Sequence, residues 1–267
     1  MDTGTPRTIE TRSTRRSLGT KHVGTKVLVY DRVTSTNDLA HFLAKDGEPE
    51  GTVLFAHGQT QGRGRLGKTW ESAYGKGLYC SFILRPDMEI QRLPRVTLIT
   101  ALAVVRALKE LSVEDVFIKW PNDVLVAGKK IAGILTEMSL EADRLSYVVV
   151  GLGVNVNHEP GDLPKDAVSI RQILKREIDI SDLAHSVVRH LDALYEKLTQ
   201  GFSGLRDEVK ACSGLVMGER VRVVSEHYVV EGYVVDFDDN GGLILRLDNG
   251  FLNTVHAGHL TKAGETE

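Results

Sequence analysis

The chain has 267 residues, 42% hydrophobic and 26% charged, with 33 Lys plus Arg against 36 Asp plus Glu for a net charge of −3. That mixture excludes collagen-like, low-complexity and wholly disordered chains, and the slightly acidic balance argues against a dedicated nucleic-acid binder. The length suits one large domain, or one with a small companion, and needs no disulfide or metal staple to fold.

Residues 1–24 carry five basic and two acidic side chains without hydrophobic periodicity, and are expected to form a flexible tail. KVLVY at 26–30 predicts a strand. Ser35, Thr36, Asn37 and Asp38 then open a helix with an apolar face of Leu39, Ala40, Phe42 and Leu43, ended by Gly47. Strands are expected at TVLFA (52–56) and LYCSFIL (78–84), joined by a Gly-rich segment too polar for the core. A long helix follows from Pro94 to near Leu111, with Val96, Ile99, Leu102, Ala103 and Val105 at helical spacing. VFIKW, DVLV and IAGILTEM read as hairpin-joined strands, and the apolar run SYVVVGLGVNVN as a buried central strand. Helices near 168–175 and 181–199 complete a domain over 25–213. Beyond it, short strands separated by Asp/Asn/Gly turns predict a small all-β barrel over 214–267. Grouped hairpins with a few helices give an α+β fold, a mixed sheet flanked by helices.

GRGRLGKT at 62–69 satisfies both the P-loop and the dinucleotide-fingerprint expressions. Each mechanism needs a helix straight after the glycines, because the helix N-terminus supplies the amides that hold phosphate. WESAYGKG follows instead, with two glycines and then a strand, so neither reading stands. What remains is chemical: three glycines permit close backbone approach, and Arg63, Arg65 and Lys68 supply three cations beside Trp70. The loop is expected to hold an anion.

KWPND at 119–123 ends a strand at Pro121, and a side-chain turn through Asn122 and Asp123 aims Lys119 and Asn122 beyond the strand end. An ordinary hairpin turn with a packed Trp120 is the simpler alternative. Lys130, close to the small residues Ala132 and Gly133, could face a ligand or be a lysine snorkelling from a sheet edge. Cys80 and Cys212 lack partners at metal or redox spacing, which points to thiols in a reducing compartment, the cytoplasm. No apolar run approaches the ~18 residues of a membrane helix.

STN at 35–37, GRGRLGKTW at 62–70, KWPND at 119–123, KKIAGIL at 129–135 and GLGVNVN at 151–157 together resemble the biotin protein ligases, in order and at suitable spacing across residues 26–262. Five motifs in register make the likeness specific. It implies a catalytic domain like that of class II synthetases, with an SH3-like C-terminal barrel. It also implies an ATP-dependent ligase that converts biotin to biotinyl-5'-AMP and acylates one lysine of a biotin carboxyl carrier protein.

By the same resemblance Ser35, Thr36, Asn37, Gln59, Gly62, Arg63, Gly64, Arg65, Lys130 and Gly133 would bind biotin. Arg65, Lys68, Trp70, Lys119, Asn122, Lys130 and Asn155 would bind the nucleotide, Lys130 and Arg65 would act in catalysis, and Asn122 or Asp123 would lie near Mg2+. Ser35 with Asp38 also fits a helix capping box. Carboxylate attack on a polyphosphate needs preorganised cations and no enzyme nucleophile, which suits a chain without a Ser/His/Asp or Cys/His arrangement.

Two departures stand out. Leu66 occupies a position that is often basic, and Lys68 one that is often Arg, which weakens the expected hold on the adenylate. Only the polar tail precedes Lys26, so no DNA-binding domain or DNA partner is expected; no membrane partner is expected either, and homodimerisation is left open. The rival readings are a lipoate or octanoate ligase or transferase of the same fold, whose double-Arg, double-Gly signature is missing, and a non-catalytic binding module. HAGH at 256–259 offers two histidines without further ligands and is read as an ordinary loop.

Overall fold

The computed structural model describes residues 9–12 and 18–262. Eight runs rich in β-branched and aromatic residues build one mixed sheet: β1 (Ile9–Arg12), β2 (Lys26–Val33), β3 (Thr52–Gln59), β4 (Gly77–Leu84), β5 (Val116–Lys119), β6 (Asp123–Val126), β7 (Lys129–Glu141) and β8 (Arg144–Asn155). Their order is β1-β2-β3-β4-β8-β7-β6-β5, and only the β2–β3 pair is parallel. The helices are α1 (Thr36–Lys45), α2 (Pro94–Glu110), α3 (Ile170–Leu174), α4 (Ile180–Gln200) and α5 (Ser203–Ala211). The expected α+β class is therefore observed.

Pleating assigns the two faces of the sheet. Leu78, Cys80, Phe82 and Leu84 of β4, with Val148, Val150, Leu152 and Val154 of β8, join the large core beneath α2 and α4. Ile83 and Val149 face the other way, packing with Leu39, Ala40 and Ala44 of α1. α1 covers only one end of that second face; the other end is the site described below.

Three expectations are corrected. Ile9–Arg12, read as part of a flexible tail, pairs with the edge of β2 from Ile9↔Arg32 to Arg12↔Val29. The backbone amides of Lys21, His22 and Val23 donate to the buried Asp192 carboxylate at 3.1, 2.6 and 2.8 Å, so this stretch is anchored to α4. The rest of that tail, residues 1–8 and 13–17, lies outside the described residues. Phe42, expected on the apolar face of α1, is 49% exposed because it falls off the stripe set by Leu39, Ala40, Leu43 and Ala44. α5 was not foreseen: nine residues rich in charge give little periodic signal, yet Leu205 and Val209 are buried.

The C-terminal antiparallel sheet runs β12-β11-β10-β9-β13, built from β9 (Arg220–Val224), β10 (Val229–Phe237), β11 (Leu243–Arg246), β12 (Leu252–Val255) and β13 (His259–Lys262). Its inward residues, among them Val221, Val223, Val234, Phe237, Leu243 and Leu245, continue the core beneath α2 and α4. Trp120 is 1% exposed and donates its indole N–H to Gly241 O at 3.1 Å. Lys210 pairs with Asp236 and Arg206 with Asp239, each at 2.9 Å. The tryptophan of KWPND therefore ties the two sheets together.

Candidate active site

Beyond the end of α1 the sheet face is floored by glycine. Gly133 of β7 pairs with Gly153 of β8, and Leu135 with Gly151. A Cβ added at Gly153 would meet the Trp70 ring at 2.4 Å, and one at Gly151 would meet Asn37 Oδ1 at 2.1 Å. These glycines therefore serve close approach, leaving a cleft over the sheet.

One end of the cleft is polar and uncharged. Ser35 caps α1, its Oγ accepting from Asp38 N at 3.4 Å, while Thr36 N and Oγ1 both donate to Gln59 Oε1, at 2.8 and 3.1 Å. Gln59 Nε2 donates to Ser72 Oγ at 2.8 Å. Ser81 of β4 reaches up between them, its Oγ 2.8 Å from Thr36 Oγ1 and 2.6 Å from Asn37 Oδ1. Asn37 lines the cleft but donates inward, to Glu137 Oε2 at 2.8 Å and Leu135 O at 3.3 Å.

The other end is cationic. After Gly64 the chain forms a short 3-10 turn, Arg65–Gly67, with Leu66 at φ 54°, and returns through Gly64 N to Lys68 O (2.7 Å) and Trp70 N to Gly62 O (2.9 Å). A compact loop stands where a phosphate-binding helix would begin, which removes both nucleotide-motif readings. Arg65 Nη1 donates to Asn122 Oδ1 at 2.6 Å, and burial lowers the pKa of its guanidinium. Lys130 Nζ lies 2.8 Å from Asp123 Oδ1 and 5.4 Å from the Trp70 ring centroid. Arg63 makes a two-pronged contact with Glu137 at 2.9 and 2.7 Å, and also pairs with Asp38 at 2.8 Å. Burial disfavours the ionised Glu137, but hydrogen bonds from His41, Asn37 and Arg63 outweigh it and bring its pKa down to about 2.

Lys130 reaches the cleft through a β-bulge. The β6–β7 register runs Val124↔Ala132 and then Leu125↔Lys130, so Ile131 is the extra residue. Without it, strand parity would point Lys130 with Ala132 and Ile134 toward the core. Its backbone is held from both sides, N–H to Asp166 O at 2.8 Å and O from Val168 N at 2.9 Å, with Asn155 Nδ2 a further donor at 3.5 Å.

The structure brings Ser35, Thr36, Asn37, Gln59, Arg63, Gly64, Arg65, Trp70, Asn122, Lys130 and Gly133 to one cleft. Five expected residues stand off its wall, Asp123 among them. Lys68 is exposed, Lys119 is half-buried at the end of β5, Asn155 supports Lys130, and Gly62 backs the loop against Trp70 O. Asn122 and Asp123, named for magnesium, spend an oxygen each on Arg65 and Lys130. Among the described residues no group of three His, Cys, Asp or Glu is placed to hold a metal.

Four contributors were missed: Gly151, Gly153, Ser81 and Glu137. Two glycines at period two inside an apolar strand, and a glutamate two pleats beyond Gly133, were signals available in the sequence. A second groove adjoins the cleft through Arg65, Asn122, Ile134 and Leu135, and is also lined by Leu66, Pro94, Met138 and His256.

Residues 29–155 match the model of the Biotin/lipoate A/B protein ligase family, and residues 216–259 that of the Biotin protein ligase C terminal domain. The bifunctional ligase/repressor BirA of Bacillus subtilis is 37% identical over 245 residues, covering 88% of this chain and 74% of that protein. The chain belongs to the biotin protein ligase family. The biotin–[acetyl-CoA-carboxylase] ligase of Mycobacterium tuberculosis is 34% identical over 217 residues, 79% of each chain. Biotin protein ligase from Aquifex aeolicus, solved in complex with biotin and ATP, superposes with a TM-score of 0.76 at 30% identity, covering 89% of this chain and 99% of that one. The C-terminal match sets the chain within the biotin branch, against the lipoate rival, and family membership removes the non-catalytic reading.

Proposed function

We propose that the cleft takes biotin at its neutral end and ATP at its cationic end, forms biotinyl-5'-AMP, and passes the biotinyl group to a lysine of a biotin carboxyl carrier domain. The observation that carries this is the meeting of Arg65 and Lys130 at one end of a cleft whose other end, Thr36 and Gln59, is polar and uncharged. A ureido head suits neutral donors and acceptors; a carboxylate meeting an α-phosphate needs cations.

In the first step a biotin carboxylate oxygen bonds to the α-phosphorus and the bond to pyrophosphate breaks. Lys130 and Arg65 face the negative charge that builds there, and each is already oriented by a partner, Asp123 or Asn122, that it exchanges for the substrate. In the second step the carrier amine, losing a proton, attacks the biotinyl carbonyl and AMP leaves. A magnesium ion bound with the triphosphate would neutralise phosphate charge, with Asn122 or Asp123 the residues to lie near it.

Trp70 lies across Gly133 and Gly153 with its buried indole N–H unpartnered, a cost of about 1–3 kcal/mol that an acceptor on the nucleotide would recover. The carrier is supported by the Mycobacterium tuberculosis relative, which is a biotin–[acetyl-CoA-carboxylase] ligase. A cytoplasmic setting fits the two free thiols, and no helix among the described residues is long and apolar enough to cross a membrane.

The test is to incubate the protein with biotin, Mg-ATP and a carrier domain and to weigh the carrier by mass spectrometry. A biotinyl increment on one lysine is the expected result. An unmodified carrier beside an active reference ligase overturns the proposal.

A further inference from the structure

Glu137 belongs to none of the residue sets that the family motifs pick out, yet it is where three parts of the site are joined. It sits on β7 two pleats beyond Gly133, on the glycine face of the sheet. Its carboxylate accepts two bonds from Arg63 of the Gly-rich loop, at 2.9 and 2.7 Å, and one from Asn37 of α1, at 2.8 Å; His41 of α1 lies 3.6 Å away.

The chemistry of the group matters as much as its place. An ionised carboxylate only accepts, so together with Leu135 O, the second acceptor of Asn37 Nδ2 at 3.3 Å, it fixes which end of the Asn37 carboxamide faces the strand. The Asn37 oxygen is thereby turned to Ser81 Oγ at 2.6 Å, and that hydroxyl lies 2.8 Å from Thr36 Oγ1. The carboxylate, as the nearer of the two acceptors, thus heads a chain of polar groups ending at the neutral wall of the cleft. It also engages Arg63, together with Asp38 at 2.8 Å, leaving Arg65 and Lys130 as the cations facing an incoming anion.

We propose that Glu137 is a positioning residue for biotin recognition: it sets the orientation of Asn37, and through Ser81 that of Thr36, and fixes Arg63 as a strut of the loop. This rests on the biotin-ligase reading above and adds a specificity element to its neutral end. A glutamine at 137 keeps the size but loses the two-pronged contact and lets its own amide face Asn37.

The test compares wild type, Glu137→Gln and Ser81→Ala in pyrophosphate release, with biotin and ATP varied separately, and in calorimetric titration with biotin alone. Glu137→Gln is expected to raise the biotin Kd and KM roughly 10- to 100-fold, the range for losing charge-assisted hydrogen bonds. Ser81→Ala, which probes the same chain from its far end, is expected to raise them up to about 10-fold. In both, the KM for ATP should move less than about 3-fold, since Arg65 and Lys130 keep their partners and Trp70 its place over Gly133 and Gly153. An unchanged biotin KM in Glu137→Gln, or equal loss for biotin and ATP, overturns the proposal. Should Glu137→Gln not fold, Ser81→Ala decides by the same split. A wild-type protein that releases no pyrophosphate with biotin defeats the parent reading instead, so the two failures are told apart.

Discussion

Lys130 carries the largest single expectation at the residue scale. It faces the cleft because a bulge turns it there, and its ammonium is held by Asp123 at 2.8 Å. We predict that Lys130→Ala folds normally and loses about 10²–10³ in adenylation rate, the usual effect of removing one preorganised charge donor. Near-wild-type pyrophosphate release with biotin and ATP would refute that role.

Glu137 supplies the pH prediction. Its pKa is about 2 in the folded chain against an ordinary 4.5. A carboxyl depressed on folding stabilises the native state fully above the unfolded value and loses that contribution as pH falls through the folded one. Wild type should thus lose at most about 3 kcal/mol of stability relative to Glu137→Gln between pH 4.5 and 2. Denaturant titrations of both proteins at several pH values read it; a gap that stays constant across the window would contradict it.

At the scale of elements, the site is a property of β7 and β8 and of what their glycines admit. Trp70 and Asn37 occupy the space that side chains at 153 and 151 would fill. Gly153→Ala places a methyl 2.4 Å from the Trp70 ring and forces the indole off the floor. We expect nucleotide affinity to fall at least about 10-fold, the loss typical of a mispositioned binding group. Trp70 fluorescence would shift in the same variant, read against Trp120→Phe to remove the other tryptophan. An unmoved spectrum with intact ATP binding would show that the floor tolerates a side chain. The Gly-rich loop was legible as a polar, cation-bearing segment but not as a turn with Leu66 at positive φ, because loop conformation depends on Trp70 and Gly62 closing its base.

For the whole molecule, the C-terminal sheet is seated on α2, α5 and the β5–β6 turn by a core that runs without interruption between the two sheets. Trp120 is the central tie. Trp120→Ala removes its buried ring and leaves Gly241 O without that donor, and is expected to cost about 3–5 kcal/mol. Because the core is continuous, wild type should melt in one cooperative transition. Two resolved calorimetric transitions in the wild type, or a stability loss in Trp120→Ala below about 1 kcal/mol, would show that the sheets are independent.

Element types, the α+β class, the C-terminal strands and the family motifs were all legible in the sequence, because periodicity and turn residues act over a few positions at a time. Phe42, α5 and the pairing of Ile9–Arg12 were not, since a face, a short charged helix or an edge strand is decided by what packs against it. The site divides in the same way. Thr36, Gln59, Arg65 and Lys130 could be named from motifs, but strand parity alone would have buried Lys130 in the core, and only the bulge at Ile131 turns it to the cleft. The period-two spacing of Gly151 and Gly153, and of Glu137 from Gly133, was visible locally, but their roles come from register across β7 and β8 and from what then packs on that face, which the spacing does not encode.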